Sequence, residues 1–185
     1  RLFDAVRTRE QWVEAGQEVT TAMLQGIDVE EALELIAQRA RTIARADTAV
    51  LVLPGLGGQW VIEIVDGDTH GDLIGATMPD NGRAVHVIET GTGIIVDSFA
   101  RATTVRLAQF GRYGPSLYAP LTGGQAVLGV IVLLRQKQAP EFSSTDLAIA
   151  ESFARQAALA LELAEARDAH DRASVLDERA RISRD

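Results

Sequence analysis

The chain has 185 residues, 46% of them hydrophobic and 24% charged, with a net charge of −8 at pH 7. This is the composition of an ordinary globular domain, and its acidic balance excludes a broad nucleic-acid surface and gives no attraction to anionic lipid. The sequence has no cysteine, which excludes disulfides, thiolate metal sites, cysteine nucleophiles and thioether-linked chromophores. No apolar run approaches the roughly 20 residues of a bilayer-spanning helix. We therefore expect a cytoplasmic protein.

The first part of the chain has the apolar spacing of two helices. Apolar residues recur at helical intervals over residues 2–24, and again over residues 29–46 after the break at "GID". No signal peptide opens the sequence. Both ends are expected to be cuts in a longer polypeptide, with residues 1–24 forming a linker helix.

The middle of the chain changes to a β pattern. Residues 48–54 and 59–67 are rich in β-branched residues and flank the glycine turn "GLGG", which predicts an antiparallel hairpin. Residues 84–91 predict a short helix that stops at the glycine in position 91. Residues 93–97 predict a short strand.

A second hairpin follows a long connection over residues 97–115, and a connection of that length is usually functional. Strands are predicted over residues 116–124 and 125–136, with a glycine pair at the turn. The second strand is almost continuously apolar, which predicts a central position with both faces covered. Gly129 inside it predicts a bulge or close packing.

The last helix is predicted from about Ser144 to the final residue. Its first half is rich in alanine and leucine, which suits packing on the sheet and on another helix. Its second half keeps only a narrow heptad stripe of small residues, so a coiled coil there would be marginal alone. The stripe consists of Ala166, Ala169, Ala173, Leu176, Ala180 and Ser183. The order of elements describes an α+β domain with one antiparallel sheet.

Residues 119–158 carry a recognisable family pattern. It begins with an apolar-Pro-Leu strand (Ala119-Pro120-Leu121), a glycine turn (Gly123-Gly124) and a Leu-Gly-Val strand (Leu128-Gly129-Val130). A Phe-x3-Asp step (Phe142 with Asp146) and an Ala-x-Gln-x-Ala helix (Ala154-Arg155-Gln156-Ala157-Ala158) follow. The segment resembles the C-terminal half of a GAF domain. The resemblance implies a central antiparallel sheet with flanking helices and long terminal helices. It places the domain at residues 25–165 and a helical linker towards a kinase at residues 166–185.

The final stretch "DERARISRD", residues 177–185, resembles the segment just before the phospho-accepting histidine of NarL-partner-type histidine kinases. Together the two matches resemble oxygen- and redox-sensing kinases of the DevS type, which carry two tandem GAF domains, the first binding haem. That haem domain carries His-Pro-Pro-Met-Arg where residues 110–114 here read "FGRYG". The resemblance therefore implies the second GAF domain, without haem or another cofactor.

The same resemblance implies partners and a place for any ligand. The partners are the upstream GAF domain and the downstream ATP-dependent kinase domain of the same chain, with homodimerisation through the terminal helices. A ligand pocket would lie between the sheet and the 97–115 connection. Its candidate lining is Phe99, Val105, Leu107, Phe110, Tyr113 and Tyr118, with His86 as a further contact. The alternative is that these residues simply fill the core.

A partial match to the cyclic-nucleotide GAF signature places Lys137 before Phe142 and Asp146. Because its Asn and Glu are missing, we interpret Lys137 and Asp146 as a structural ion pair between the last strand and the last helix. No metal site is expected: the acidic turn around His70 lacks the Ca²⁺-loop pattern, and His70 and His170 read as solvated.

Two functions remain open from the sequence. The first is a cofactor-free domain that relays the state of an upstream haem sensor to the kinase through its terminal helices. The second is an independent small-molecule sensor. A catalytic role is not expected, because no nucleophile, base or paired-carboxylate arrangement stands out and GAF-type methionine sulfoxide reductases use cysteines.

Overall fold

In a computed structural model, one antiparallel sheet carries helices on both of its faces. The structure describes residues 2–67, 71–97 and 107–184. The helices are α1 (Leu2–Leu24), α2 (Val29–Ile43), α3 (Arg83–Thr90) and α4 (Ser144–Arg184), the strands are β1 (Thr48–Pro54), β2 (Trp60–Gly67), β3 (Ile94–Val96), β4 (Tyr113–Thr122) and β5 (Val127–Gln136), and short 3-10 turns lie at Leu56–Gly58 and Ala108–Arg112.

The five described strands form a sheet in the order β2-β1-β5-β4-β3, and every neighbouring pair is antiparallel. Both predicted hairpins are present, β1 with β2 and β4 with β5. β5 lies at the centre, as its continuous apolar sequence predicts. Strand side chains alternate between the two faces, so β4 and β5 each contribute to two separate cores.

One face of the sheet is covered by α1, α2 and α4. Strand residues such as Leu117 and Leu133 meet the fully buried Ile36 of α2 and Phe153 of α4 there. Alanines predominate along α4 at this contact, and their small side chains let the helix pack closely on both the sheet and α2. Burial of these apolar side chains is the main force that holds the helices on the sheet.

Gly129 of β5 marks a close approach between the two central strands. A Cβ atom added there would overlap the carbonyl oxygen of Val52. Pairing between β1 and β5 runs without a register shift from Thr48 opposite Leu134 to Val52 opposite Val130. Towards β4 the register does shift, from Pro120 opposite Val130 to Thr122 opposite Val127, so that Leu128 and Gly129 of β5 stand opposite a single residue. Both predicted explanations are therefore correct: Gly129 packs closely against β1 and lies in a bulge towards β4.

α2 ends at Ile43, three residues earlier than its apolar pattern predicts. Arg45 adopts a left-handed conformation with a φ of 55°, which turns the chain away from the helix axis. The carbonyl oxygens of Ala44 and Arg45 then accept hydrogen bonds from the Arg135 side chain. The Arg135 side chain thus donates to carbonyl oxygens that would have accepted hydrogen bonds from backbone N–H groups if α2 had continued.

α4 extends well beyond the body of the domain. Every side chain from Glu165 to Ser183 is exposed. At the other end of the chain, α1 exposes Leu2, Phe3 and Val6. No helix in the described ranges combines enough length and apolar character to cross a membrane.

Candidate functional site

The second face of the sheet holds a separate buried cluster, and this cluster is the candidate site. The sheet forms its floor. Its walls are α3, the segment of residues 71–78 and the 3-10 turn that precedes β4. The buried members are Val50, Val52, Ile62, Leu73, Met78, Ala84, Val87, Phe110, Tyr113, Tyr118, Val130, Val132 and Leu134.

Two walls of the cluster are fastened to each other by an ion pair. The Arg112 guanidinium donates two hydrogen bonds to the Asp72 carboxylate, at 2.7 and 2.8 Å. Arg112 also donates to the carbonyl oxygen of Gln109 at 2.9 Å and lies over the Tyr113 ring. These contacts hold Phe110 and Leu73 in place over the sheet, because each lies within two residues of the ion pair.

Polar groups are embedded in this mostly apolar cluster. The Tyr113 hydroxyl and the Thr48 hydroxyl are 3.1 Å apart and hydrogen bonded in a buried position. Thr48 of β1 and Ser116 of β4 both lie opposite Leu134 of β5. A row of two hydroxyls therefore crosses the three central strands at one end of the floor.

Tyr118 lies in the same cluster and is 2% exposed. Burial raises the pKa of its phenol, because the charged phenolate would lose its hydration, while the Arg83 guanidinium and the nearby Ser116 hydroxyl partly offset this rise. The Ser116 hydroxyl lies beside Tyr118 but makes no hydrogen bond of good geometry. The arrangement presents a neutral phenol, a hydroxyl and a cation to the interior of one face.

The structure brings together four of the predicted pocket residues. Phe110, Tyr113 and Tyr118 are buried in the cluster, and Leu107 packs against it. His86 does not join them: its side chain is exposed, because the face of α3 that meets the cluster carries Ala84, Val87 and Ile88. Phe99 and Val105 lie outside the described residues, as does His70.

The predicted ion pair between Lys137 and Asp146 is wrong. The Asp146 carboxylate faces Arg135 at 3.5 Å and also accepts from the Ser143 backbone N–H at 2.8 Å. Arg135 lies within β5 on the face covered by α4. Lys137 follows the end of that strand and is exposed.

Sequence reasoning missed the hydroxyls of Thr48 and Ser116, the cation of Arg83 and the apolar wall residues Leu73 and Met78. Ser116 could have been found from the sequence, because strand side chains alternate between the two faces and Ser116 lies two residues before Tyr118. No comparable signal marked the segment of residues 71–78, whose sequence reads only as turns. No group of three or more potential metal ligands occurs within the described ranges.

The Tyr118 phenol predicts a specific dependence of stability on pH. Its pKa is raised in the folded state above 10.0, its ordinary value. The phenol therefore favours folding fully below about pH 10, and that contribution is lost as the pH rises further. Tyr113→Phe leaves Tyr118 as the only tyrosine of the chain. Its phenolate absorbance should then develop well above pH 10 and together with unfolding.

The control for this titration is Tyr118→Phe, which leaves only Tyr113. Because the Tyr118 phenol is absent, that variant should lose less stability in alkaline solution than the wild-type protein. A Tyr118 phenol that titrates near pH 10 in the folded protein, followed by ultraviolet absorbance and circular dichroism together, would contradict the buried position.

A five-stranded antiparallel sheet with α1, α2 and α4 on one face and α3 over a partly polar cluster on the other defines an α+β domain. The family model of the GAF domain matches residues 28–161, and the chain therefore belongs to the GAF domain family. Two crystal structures of the second GAF domain of DevS from Mycobacterium smegmatis are similar to it, at 25% and 26% identity and a TM-score of 0.66. Each match covers 77% of this chain and 99% of the DevS domain.

The fold is shared more widely than these identities indicate. The GAF domain of a phosphoenolpyruvate-protein phosphotransferase from Coxiella burnetii superimposes with a TM-score of 0.74 at only 18% identity. That match covers 86% of this chain and 98% of the other. At this identity the similarity concerns the fold alone.

Proposed function

We propose that this chain is a signal-transmitting GAF domain of a two-component sensor histidine kinase in the cytoplasm. It relays the state of an upstream haem domain to the downstream kinase and binds no haem itself. The similarity to the second GAF domain of DevS supports this assignment. The observation that carries it is the continuous α4, which packs on the sheet with its first half and is exposed from Glu165 onwards.

The terminal helices have the surfaces that such a relay requires. α1 exposes Leu2, Phe3, Val6 and Val13, and α4 exposes Leu159, Leu163 and Leu176. An unpartnered apolar stripe on a long helix is expected to pair with another helix. Homodimerisation through α1 and α4 would cover these side chains and would place two exit helices side by side.

The chemistry of the buried cluster favours a domain without haem. Its described members are aliphatic, aromatic or hydroxyl-bearing side chains and one thioether, that of Met78, and the one histidine of α3 is exposed. Haem iron is held in proteins by His, Cys, Met or Tyr, with Met acting together with His, and no histidine is among the described members of the cluster. Tyr113 is hydrogen bonded to Thr48, and Tyr118 is buried beside Arg83, so both phenols already have structural partners.

The relay is tested in the full-length kinase by insertions into α4 after Glu165. Seven inserted residues keep the heptad phase of the exit helix, whereas four rotate everything that follows. We expect autophosphorylation to remain under sensor control with the seven-residue insertion and to lose that control with the four-residue insertion. Equal signal-dependent activity in the two proteins would contradict transmission through a continuous helix.

A second candidate function is an independent small-molecule sensor. The observation in its favour is the set of hydroxyls inside the cluster, because ligand sites combine apolar walls with a few convergent polar groups. The purified chain would then carry a small molecule detectable by native mass spectrometry, or its melting temperature would rise with the ligand. A chain that is ligand-free after native purification, with unchanged kinase control in Ser116→Ala and Tyr118→Phe proteins, would rule this function out.

A further inference from the structure

α4 is fastened to the sheet by polar contacts at two separated points. One lies at its beginning, where Arg135 of β5 binds the chain around the first turn of the helix. The other lies at Glu162, near the point where α4 leaves the body. Between them α4 packs on the sheet and α2 through apolar side chains, and Gln156 donates hydrogen bonds to the Gly16 carbonyl oxygen and the Thr20 hydroxyl of α1, at 3.0 and 3.3 Å.

The contact at Arg135 is built to persist. Its guanidinium donates to the carbonyl oxygens of Ala44 at 2.6 Å, Pro140 at 2.9 Å and Glu141 at 3.0 Å. It also lies 3.9 Å from the centre of the Phe142 ring, and its side chain is only 10% exposed. A buried cation with this many partners costs much free energy to release. We call this group of contacts the pivot.

The contact at Glu162 is of the opposite kind. Its carboxylate accepts one hydrogen bond, from the backbone N–H of Gly124 in the β4–β5 turn, at 2.9 Å. The contact is exposed, so water can replace it at little cost. A Cβ atom added at Gly123 would overlap the same carboxylate, so the glycine allows the turn to sit directly against the helix. We call this contact the latch.

One strand joins the latch to the candidate site. β4 turns Ser116 and Tyr118 towards the cluster, and Leu117 and Leu121 towards the helices. The turn that holds the latch begins directly after this strand ends at Thr122. A shift of β4 along its own axis, caused by repacking of the cluster, would therefore reach the turn without passing through another element.

We propose that α4 moves about the pivot at Arg135 and that the latch between Glu162 and Gly124 determines whether its exit half is held to the sheet. Repacking around Tyr118 releases the latch through β4. Release frees the exit half and leaves the start of the helix in place. The proposal rests on the proposed relay function for its purpose, but the motion itself belongs to this chain and does not require the kinase.

The latch is tested by amide hydrogen exchange of the 185-residue chain, read residue by residue by NMR. In Glu162→Ala, amides of residues 160–166 should exchange about threefold to tenfold faster, the factor expected for one hydrogen bond. Amides of residues 147–154, next to the pivot, should not change. Glu165→Ala is the matched control, because Glu165 is exposed one turn further on, and it should leave both segments unchanged. Glu162→Gln keeps an acceptor oxygen and should restore most of the protection.

Coupling to the candidate site is tested with Tyr118→Phe. This change should speed exchange at residues 160–166 in the wild-type background and add nothing in Glu162→Ala, where the latch is already released. Additive effects of the two substitutions, or faster exchange along the whole of α4, would overturn the proposal. Failure of the insertion experiment in the kinase with this coupling intact would instead reject the relay function alone.

Discussion

Replacing Arg135 with methionine is expected to lower the free energy of unfolding by about 3–5 kcal/mol. Methionine fills much of the same space, so the loss comes from polar groups and not from a cavity. The carbonyl oxygens of Ala44, Pro140 and Glu141 lose a buried donor, and Asp146 loses its ion-pair partner. Denaturant unfolding followed by circular dichroism measures the change.

Arg135→Lys separates charge from geometry at the same position. Lysine keeps the positive charge but not the planar fork that reaches several carbonyls at once, so its loss should be intermediate. Asp146→Asn should cost less than either, because Asp146 also accepts from the Ser143 N–H. A loss below about 1 kcal/mol for the methionine variant would show that the pivot has solvent-accessible alternatives.

Gly129→Ala is the second substitution with a large expected effect, a loss of about 3 kcal/mol. The added methyl group would overlap the Val52 carbonyl oxygen and lie 3.0 Å from the Leu53 side chain. Because β1 and β5 are neighbours at the centre of the sheet, neither strand can move aside without disturbing both cores. The melting temperature and the denaturant midpoint should fall together.

Gly124→Ala is the control for this prediction. No atom lies within 4 Å of a Cβ atom added there, and the substitution keeps the backbone N–H. Its effect on stability should stay within about 0.5 kcal/mol. If the two glycines tolerate alanine equally well, the strands at Gly129 are further apart than the structure places them.

The regular elements were predictable because their signals are local. Apolar periodicity set the bounds of α1, and glycine turns located both hairpins. Gly91 ends α3 in a left-handed conformation with a φ of 66°, as a helix-stopping glycine should. The continuous apolar sequence of β5 correctly indicated a central strand, since only a strand covered on both faces lacks polar alternation.

The ion pair was mispredicted because it depends on where a strand ends. The family pattern pointed to Lys137, but β5 ends at Gln136 and the chain reverses at Gln138, which has a φ of 71°. Arg135 shares the strand face of Ile131 and Leu133 and is thereby directed into the helix layer. Sequence rarely defines the end of a strand to within one residue. Here the end of β5 at Gln136 determines that Arg135, and not Lys137, faces Asp146.

Apart from Leu107, the candidate site residues that were predicted from the sequence are aromatic. Phe110, Tyr113 and Tyr118 stand out in a chain with 5% aromatic residues, whereas Thr48 and Ser116 look like ordinary strand residues. Their placement in one row arises from pairing across three strands. That register is a long-range property of the sheet, which no short stretch of sequence contains.

The weakness of the contact between Glu162 and Gly124 limits how much signal one domain can impose. An exposed hydrogen bond contributes about 1 kcal/mol or less, which changes the ratio of two conformations by about fivefold. A reversal from almost entirely one state to almost entirely the other takes about 5.5 kcal/mol. This latch therefore limits how far one domain can shift the ratio of held to released α4. Its effect is graded, and a steep response has to come from the upstream sensor or from the summed effects of several subunits.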